Sequence, residues 1–267
     1  MKFSIITVTR NSEFFLEQTI LSVISQTYSN IEYIVIDGSS TDNTLTIIDK
    51  YRDKIAYFIS EPDKNMYDAI NKGMKAATGD YIAILNSDDY YVDDKVIQRV
   101  VNEVNKLKIS NLGGIYGNLI KVAPDNSKIR NRRGFQVSFK QLLFSTKLTM
   151  VGHASVFIHK KCLENVGFYD AEHFSAAADY DYILRCFAQH KFKYLNLDIF
   201  NFRQHPNSVT SSGKITMEVD SVLEKNGYYT YNPLLRYVYY YYSWAKFILL
   251  NSVHLVDKIY NKWKYCM

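Results

Sequence analysis

Apolar residues run in short blocks through the first third of the chain, and each block stops at a polar or acidic residue. Residues 3–7 are apolar and β-branched and predict a buried strand. Thr9-Arg10-Asn11-Ser12 follows as a polar turn, with Ser12 placed to cap a helix that carries Leu16, Ile20, Val23 and Ile24 at helical spacing. Residues 31–36 predict a second strand, ending at Asp37. Gly38-Ser39-Ser40 then turns into a helix capped by Thr41 or Asp42, with Leu45, Ile48 and Tyr51 inward. Residues 55–59 predict a third strand, ending in acid at Glu61, and a helix from about 66 to 77 follows. Gly79 is placed to close that helix in a left-handed conformation. Residues 81–85 then have the length of a strand buried on both faces, and stop at Asn86-Ser87-Asp88-Asp89. Strands alternating with helices predict βαβ units and a mostly parallel sheet. Ligands of such a sheet lie beyond the carboxyl ends of its strands, where these acids would gather.

The second half is less regular. Residues 94–106 predict a helix with Val96, Val100 and Val104 on one stripe. Residues 113–120 predict a turn and a strand, 139–144 a short helix, and 152–158 a turn into a strand that places His153 just before the apolar alternation. The polar, basic stretch 124–133 (Lys128, Arg130, Arg132, Arg133) is expected as a solvated loop, with contact to a donor or acceptor phosphate as the other reading. Asp179 opens a helix, with Asp181 and Arg185 spaced to pair on its surface. Residues 194–197 predict a short strand, and 201–213 a long polar loop of the kind that closes over a bound ligand.

From Pro233 the character changes. Leu234, Leu235, Val238, Tyr241, Ala245, Ile248 and Val256 trace an apolar face, and Arg236, Lys246, Lys258, Lys262 and Lys264 stand against one acid, Asp257. Lys246 interrupts the run, which makes a poor spanning helix. A basic, aromatic amphipathic helix suits an anionic membrane surface. The same face would serve to pack back on the domain or to join two copies as a homodimer, and the pattern leaves these open.

Composition narrows the class. The chain has 267 residues, 47% hydrophobic and 22% charged, which predicts a packed globular core. A net charge of +5 does not call for a nucleic-acid partner. Cys162, Cys186 and Cys266 have no zinc-type spacing and point to a reducing compartment. Residues 1–6 run straight into a strand pattern, so no secretory signal is expected. The first strand is not followed by Gly-x-Gly-x-x-Gly, and no Gly-x-x-x-x-Gly-Lys-Ser/Thr occurs, so dinucleotide oxidoreductases and P-loop enzymes lose their usual signatures. Two adjacent carboxylates at a strand end suit Mg²⁺ or Mn²⁺, with a substrate phosphate completing the shell; a helix cap is the plainer use.

The order of five stretches resembles inverting family 2 glycosyltransferases with the GT-A fold, of the type that builds bacterial surface polysaccharides. They are residues 4–11, Asp37-Gly38-Ser39-Ser40-Thr41-Asp42, Ser60-Glu61-Pro62-Asp63-Lys64, Tyr67-Asp68-Ala69-Ile70-Asn71-Lys72-Gly73, and Asn86-Ser87-Asp88-Asp89. The resemblance thins after these and reappears at Ala178-Asp179-Tyr180-Asp181. It implies an α/β GT-A (Rossmann-like) sheet flanked by helices, over 1–215. About 1–105 would be the nucleotide-sugar half and about 106–215 the acceptor half, with 216–267 as a C-terminal helical tail. It implies that Thr9 and Asp37 hold base and ribose, with Asp68 and Asn71 flanking the pocket. Asn86-Ser87-Asp88 stands where the family has its DXD motif, with Asn in place of the first Asp. Asp88 is then the metal ligand, supported by Asp89 or Asn86, and His205 is a late candidate. His153 falls beside the reaction centre on the acceptor side. Asp179 matches the base of the family's Glu-Asp motif, whose Glu is Ala178 here.

The implied function is transfer of a sugar from a nucleotide-sugar, most simply UDP-linked, to a hydroxyl of a glycan or lipid-linked glycan, with inversion and with Mg²⁺ or Mn²⁺ as cofactor. The setting implied is cytoplasmic, peripheral on the inner face of the cytoplasmic membrane. Ala178 and Asn86 support a different class, a nucleotide-sugar-binding module without transfer activity. A sugar nucleotidyltransferase is a third reading, for which no basic, glycine-rich triphosphate loop follows the first strand.

Overall fold

The computed structural model describes residues 1–107, 109–145, 151–206 and 214–251. Among these residues the strands form one nine-stranded sheet. The first half builds its parallel side, with β1 (Phe3–Thr9) between β2 (Ile31–Asp37) and β4 (Tyr81–Ile84), and β3 (Tyr57–Ser60) outside β2. All seven residues of β1 are buried, as a strand covered on both faces requires. The register pairs Thr9 with Asp37 and Asp37 with Ser60, so these strand ends stand level at one edge.

The mixed side continues from β4 through β8 (Val156–His159) to β6 (Leu112–Val122), both steps antiparallel. Next come β9 (Lys191–Arg203), parallel to β6, and β5 (Tyr90–Tyr91), antiparallel to β9. β9 runs far beyond the short strand expected at 194–197. Its pairing of Asn201 with Tyr90 carries Arg203 and His205 back to Asp88 and Asp89.

Alternate residues of the central strands feed two cores. Ile6, Ile34, Ile36, Ile82 and Ile84 face one side, beneath α3 (Met66–Ala76), α5 (Phe139–Phe144), α7 (Ala178–Gln189) and α8 (Lys214–Lys225). Phe3, Ile5, Tyr33, Val35 and Ala83 face the other, beneath α1 (Leu16–Ile24), α2 (Thr44–Lys50) and α4 (Val96–Lys106). α6 (Lys160–Val166) joins β8 to the segment before α7.

Several expectations change. Ser12 does not cap α1; its hydroxyl meets Ser87 Oγ at 2.8 Å. Gly79 has no positive φ; a Cβ there would lie 2.7 Å from the Ser4 backbone nitrogen, so close approach to β1 is what demands glycine. The basic stretch is a hairpin rather than a loop. β7 (Lys128–Arg132) pairs with β6 around a turn in which Asn126 takes φ 67. Asn tolerates that left-handed turn, which the charged composition had masked. Asp181 is fully buried rather than part of a surface pair: it accepts from Arg185 Nε at 2.8 Å and from Asn226 at 3.0 Å, and so ties α7 to the end of α8.

α9 (Pro233–Asn251) packs its inner side on the domain. Tyr239 meets Phe144 edge-on at 5.6 Å, and Asn251 exchanges two hydrogen bonds with the Arg133 backbone. Its outer side exposes Leu234, Tyr237, Tyr242 and Leu249. Among the described residues no helix is long and apolar enough to cross a membrane. Val256, Asp257, Lys258, Lys262, Lys264 and Cys266, and the loop positions 207–213, lie outside the described residues.

One acid anchors the parallel half. Glu32 accepts from Lys2 Nζ at 2.6 Å, Ser4 Oγ at 2.5 Å and the Thr78 N–H at 2.8 Å. Burial opposes its charge, but these donors outweigh burial and hold the carboxyl at about 2 against an ordinary 4.5. A depressed carboxyl adds stability above its unfolded pKa and loses it as pH falls through the folded one. Urea unfolding should therefore find Glu32→Gln less stable than wild type by roughly 2 kcal/mol at pH 7. The gap should close between about pH 4.5 and pH 2; a gap independent of pH would contradict the assignment.

Candidate active site

A crevice of about 1210 Å³ opens where the carboxyl ends of β1 and β4 meet β6, β9, α7 and α8. Thr9, Asp88, Asp89, His153, Asp179 and His205 all line it. Asp37, Asp68 and Asn71 do not, and each is held by the fold instead. Asp37 is 0% exposed, and its carboxylate accepts from the Ser40 N–H at 2.9 Å, the Ser40 hydroxyl, and Ser60 Oγ at 2.6 Å. It fixes the 38–40 turn and offers no oxygen to the crevice. Asp68 accepts from the Lys64 N–H in the first turn of α3, and Asn71 clamps the Tyr169 backbone with two 2.9 Å hydrogen bonds. Asp63, not among the site residues expected from the sequence, is the carboxylate that reaches the crevice beside Thr9 and Arg10. Burial pushes its carboxyl up, against the pull of Lys72 at 2.6 Å. The stretch Ser60-Glu61-Pro62-Asp63 held the signal, since it belongs to the same order of motifs.

Asn86-Ser87-Asp88-Asp89 forms the turn after β4. Asp88 Oδ2 meets His205 Nε2 at 2.9 Å. Asp89 is 1% exposed, accepts from the Arg203 N–H at 3.1 Å and lies 3.5 Å from the Asn86 amide nitrogen. Burial first, then the Asp88 charge, push the Asp89 carboxyl well up. Adjacent in sequence, the two acids thus have different surroundings: Asp88 is part-exposed and Asp89 is enclosed. Asn86 Oδ1 is buried without a hydrogen-bond partner, as is Thr9 Oγ1. An orphan oxygen next to a part-exposed carboxylate and an imidazole suits a hard divalent cation that keeps substrate phosphate and water in its shell. Among the described residues no cluster of three or more His, Cys, Asp or Glu could hold a metal unaided.

Arg203 underlies this turn. It is 1% exposed and donates to the Asp88 carbonyl at 2.8 Å, Gln18 Oε1 at 2.5 Å and Asn126 Oδ1 at 2.7 Å, with its guanidinium 4.3 Å from the Phe15 ring centroid.

Asp179, which lines the same crevice, sits in the first turn of α7. Its Oδ1 accepts from Tyr67 OH at 3.1 Å and from the Tyr180 N–H at 2.9 Å. Tyr67 stacks on Tyr169, whose hydroxyl lies 2.6 Å from His153 Nε2. Burial lowers the His153 pKa despite the Asp179 charge, so the ring is neutral at pH 7. Ala178 supplies no carboxylate, but Glu218 of α8 reaches the same helix start. It accepts from the Ser175 N–H and hydroxyl at 2.9 and 2.7 Å, and from the Ala176 and Ala177 N–H groups, each at 2.9 Å. Ile215, Val219, Leu223, Tyr228 and Tyr229 extend the crevice wall on the same side.

The comparisons agree with this architecture. The crystal structure of residues 1–349 of TarS from S. aureus in complex with UDP superposes with a TM-score of 0.63 at 18% identity, covering 85% of this chain and 65% of that one. The mannosyltransferase PcManGT from Pyrobaculum calidifontis, in complex with GDP-Man and Mn²⁺, gives 0.64 at 13% identity, covering 94% and 70%. At such identities the likeness is one of fold, and it makes this α/β scaffold a GT-A glycosyltransferase fold.

Sequence takes the assignment further. Residues 4–164 match the Glycosyl transferase family 2 model. An uncharacterized glycosyltransferase of Mycobacterium tuberculosis H37Rv is 34% identical over 184 residues, 68% of this chain and 67% of the relative. The PGL/p-HBAD biosynthesis glycosyltransferase of Mycobacterium bovis BCG is 28% identical over 189 residues, 70% of each. The chain belongs to glycosyl transferase family 2.

Proposed function

We propose that the protein transfers a sugar from a UDP-linked donor to a hydroxyl of a glycan or lipid-linked glycan, with inversion. The observation that carries the reading is that Asp88 and Asp179 line one crevice, one part-exposed in the turn that holds an orphan oxygen and the other held by a tyrosine. The nucleoside lies at the end of β1, against Thr9, Arg10, Asn11 and Asp63, with Asp37 holding the loop that shapes its pocket. Asp88, the Asn86 oxygen and His205 are the groups that would hold Mg²⁺ or Mn²⁺. When bound, the ion supplies Lewis-acid stabilisation of the diphosphate's negative charge. Asp179 takes the proton of the acceptor hydroxyl as its oxygen attacks the anomeric carbon. The bond from that carbon to the diphosphate oxygen breaks with its electron pair, and UDP leaves. Neutral His153 offers the acceptor a hydrogen-bonding partner.

Glu218 is a positioning residue in this reading. It fixes the turn that aims Asp179, the place left open by Ala178. Its loss should lower kcat by about tenfold to a hundredfold, since misplacing a reacting group is costly. Steady-state kinetics of Glu218→Ala should leave the donor KM within about threefold, and Glu218→Gln, which still accepts at one oxygen, should recover part of kcat. Equal loss in both variants, or a matching rise in KM, would assign Glu218 to general folding.

The catalytic domain is 1–215 and the tail 216–267, and α8, which crosses that boundary from Lys214, completes the acceptor wall. The exposed outer side of α9 is the face proposed to touch an anionic membrane surface. The test is release of UDP from UDP-hexoses and UDP-N-acetylhexosamines with Mn²⁺, abolished by EDTA and restored by added metal. Binding of UDP without release under any condition would mark a binding module instead. Pyrophosphate release from UTP and a sugar phosphate would mark a nucleotidyltransferase.

A further inference from the structure

The crevice is larger than one small molecule requires. Its volume of about 1210 Å³ exceeds the roughly 300–1,000 Å³ of an ordinary ligand pocket. The helix α8 presents two rows of side chains to it. Ile215, Val219 and Leu223, spaced four apart, form an apolar row, and Thr216 and Asp220 form a polar row beside it. Thr216 and Asp220 are exposed.

Hydrogen bonds fix where this helix stands. Glu218 accepts from the Ala177 N–H at 2.9 Å, just before α7, and Asn226 donates to Asp181 Oδ1 at 3.0 Å, in the first turn of α7. Asp179 falls between Ala177 and Asp181, and Val219 and Leu223 fall between Glu218 and Asn226. The apolar row therefore runs alongside the turn that carries the base. Tyr67 and Tyr180 also line the crevice, but their hydroxyls are taken by Asp179 at 3.1 Å and by the Leu142 carbonyl at 3.0 Å. What they leave to a ligand is ring surface.

Beyond the end of α8, Tyr229 lines the crevice and is 57% exposed. Tyr228 meets its ring edge-on at 5.1 Å, and the Arg236 guanidinium lies 5.6 Å from its centre. An open aromatic face is thus held in place before a ligand arrives, which lowers the cost of binding to it. A sugar ring laid on these side chains would take its hydroxyls out of water and gain no partner. An alkyl or aryl group there would gain by leaving water.

We propose that the acceptor is a sugar joined to an apolar aglycone, and that the aglycone is held inside the crevice, on Val219, Leu223 and Tyr229. Thr216 and Asp220 are left to meet the hydroxyls of the sugar. The inference rests on the glycosyl-transfer reading and names the chemical class of its acceptor.

Calorimetry with n-hexyl β-D-glucoside as the probe tests it, with methyl β-D-glucoside as the control. Wild type saturated with UDP and Mg²⁺ should bind the hexyl glucoside at least about tenfold more tightly, since each methylene that leaves water adds up to about fourfold. Tyr229→Ser should cut that preference at least about threefold, and Tyr229→Ser combined with Val219→Thr should abolish it. Tyr229→Phe, which keeps the ring, should retain it. UDP affinity should stay within about twofold in all three variants, with thermal melts as the folding control. Equal binding of the two glucosides, or binding of neither, would overturn the proposal. So would a preference that survives in the folded double variant, which would place the alkyl chain elsewhere, such as the exposed side of α9. Competition between UDP and the hexyl glucoside would give the wall to the donor and overturn it too. Failure of wild type to bind UDP would instead fall on the donor reading. A hexyl preference that depends on Tyr229 in the free protein would then still support the apolar site.

Discussion

Asp179→Asn should slow sugar transfer by about 100- to 10,000-fold, the span that a positioned general base contributes. Asparagine keeps the shape of the side chain and an oxygen able to accept from Tyr67 OH, now 3.1 Å from Asp179 Oδ1. It cannot take a proton from an attacking hydroxyl. Among the described residues neither Thr9 nor Asp88 shares a hydrogen bond with Asp179, so UDP affinity should change by less than about twofold, as expected for a group that acts in the transition state alone. Single-turnover kinetics and calorimetry on one protein preparation separate the two effects. Loss of UDP binding along with turnover would contradict the assignment of Asp179 as base.

Arg203→Met should cost about 3–5 kcal/mol of folding stability, the range for removing one partner from a buried charged network. The side chain is 1% exposed and satisfies the Asp88 carbonyl, Gln18 and Asn126 at once, between the rings of Phe15 and Tyr90. Methionine fills much of the volume but leaves three acceptors without a donor and takes away the positive charge beside enclosed Asp89. Since Asp88 and Asn86 belong to the same turn, metal-dependent UDP affinity should fall as well. Urea unfolding and calorimetry check the two parts. A variant as stable as wild type would mean that the network is not what holds the turn.

The parallel half was legible because its signals are local. Each strand is a short apolar block, each helix a periodic one, and the strand-end residues Thr9 and Asp88 follow their blocks directly. The β6–β7 hairpin was not legible, since its strand alternates among charges and its turn needs only an asparagine. The partners of the catalytic carboxylate are distant in sequence: Tyr67 is 112 residues from Asp179, and Glu218 is 43 from Ser175. No local pattern links them. Arg203 falls in a stretch whose sequence predicts a polar loop, because its acceptors Asp88, Gln18 and Asn126 come together only when β9 pairs with β5 and β6. Asp37, Asp68 and Asn71 show the converse. Their motif positions are plain in the sequence, but in the structure their side chains are occupied by backbone groups and by serine and lysine side chains, and the crevice lies beyond them.

A metal-assisted nucleotide-sugar crevice with Asp88 in its lining is open to calorimetric titration of the protein with UDP, GDP and CDP, each with and without Mn²⁺. UDP should bind most tightly, its affinity should depend on Mn²⁺, and Asp88→Asn should remove this dependence. Binding that ignores the metal, or a folded protein that binds none of the three, would contradict it.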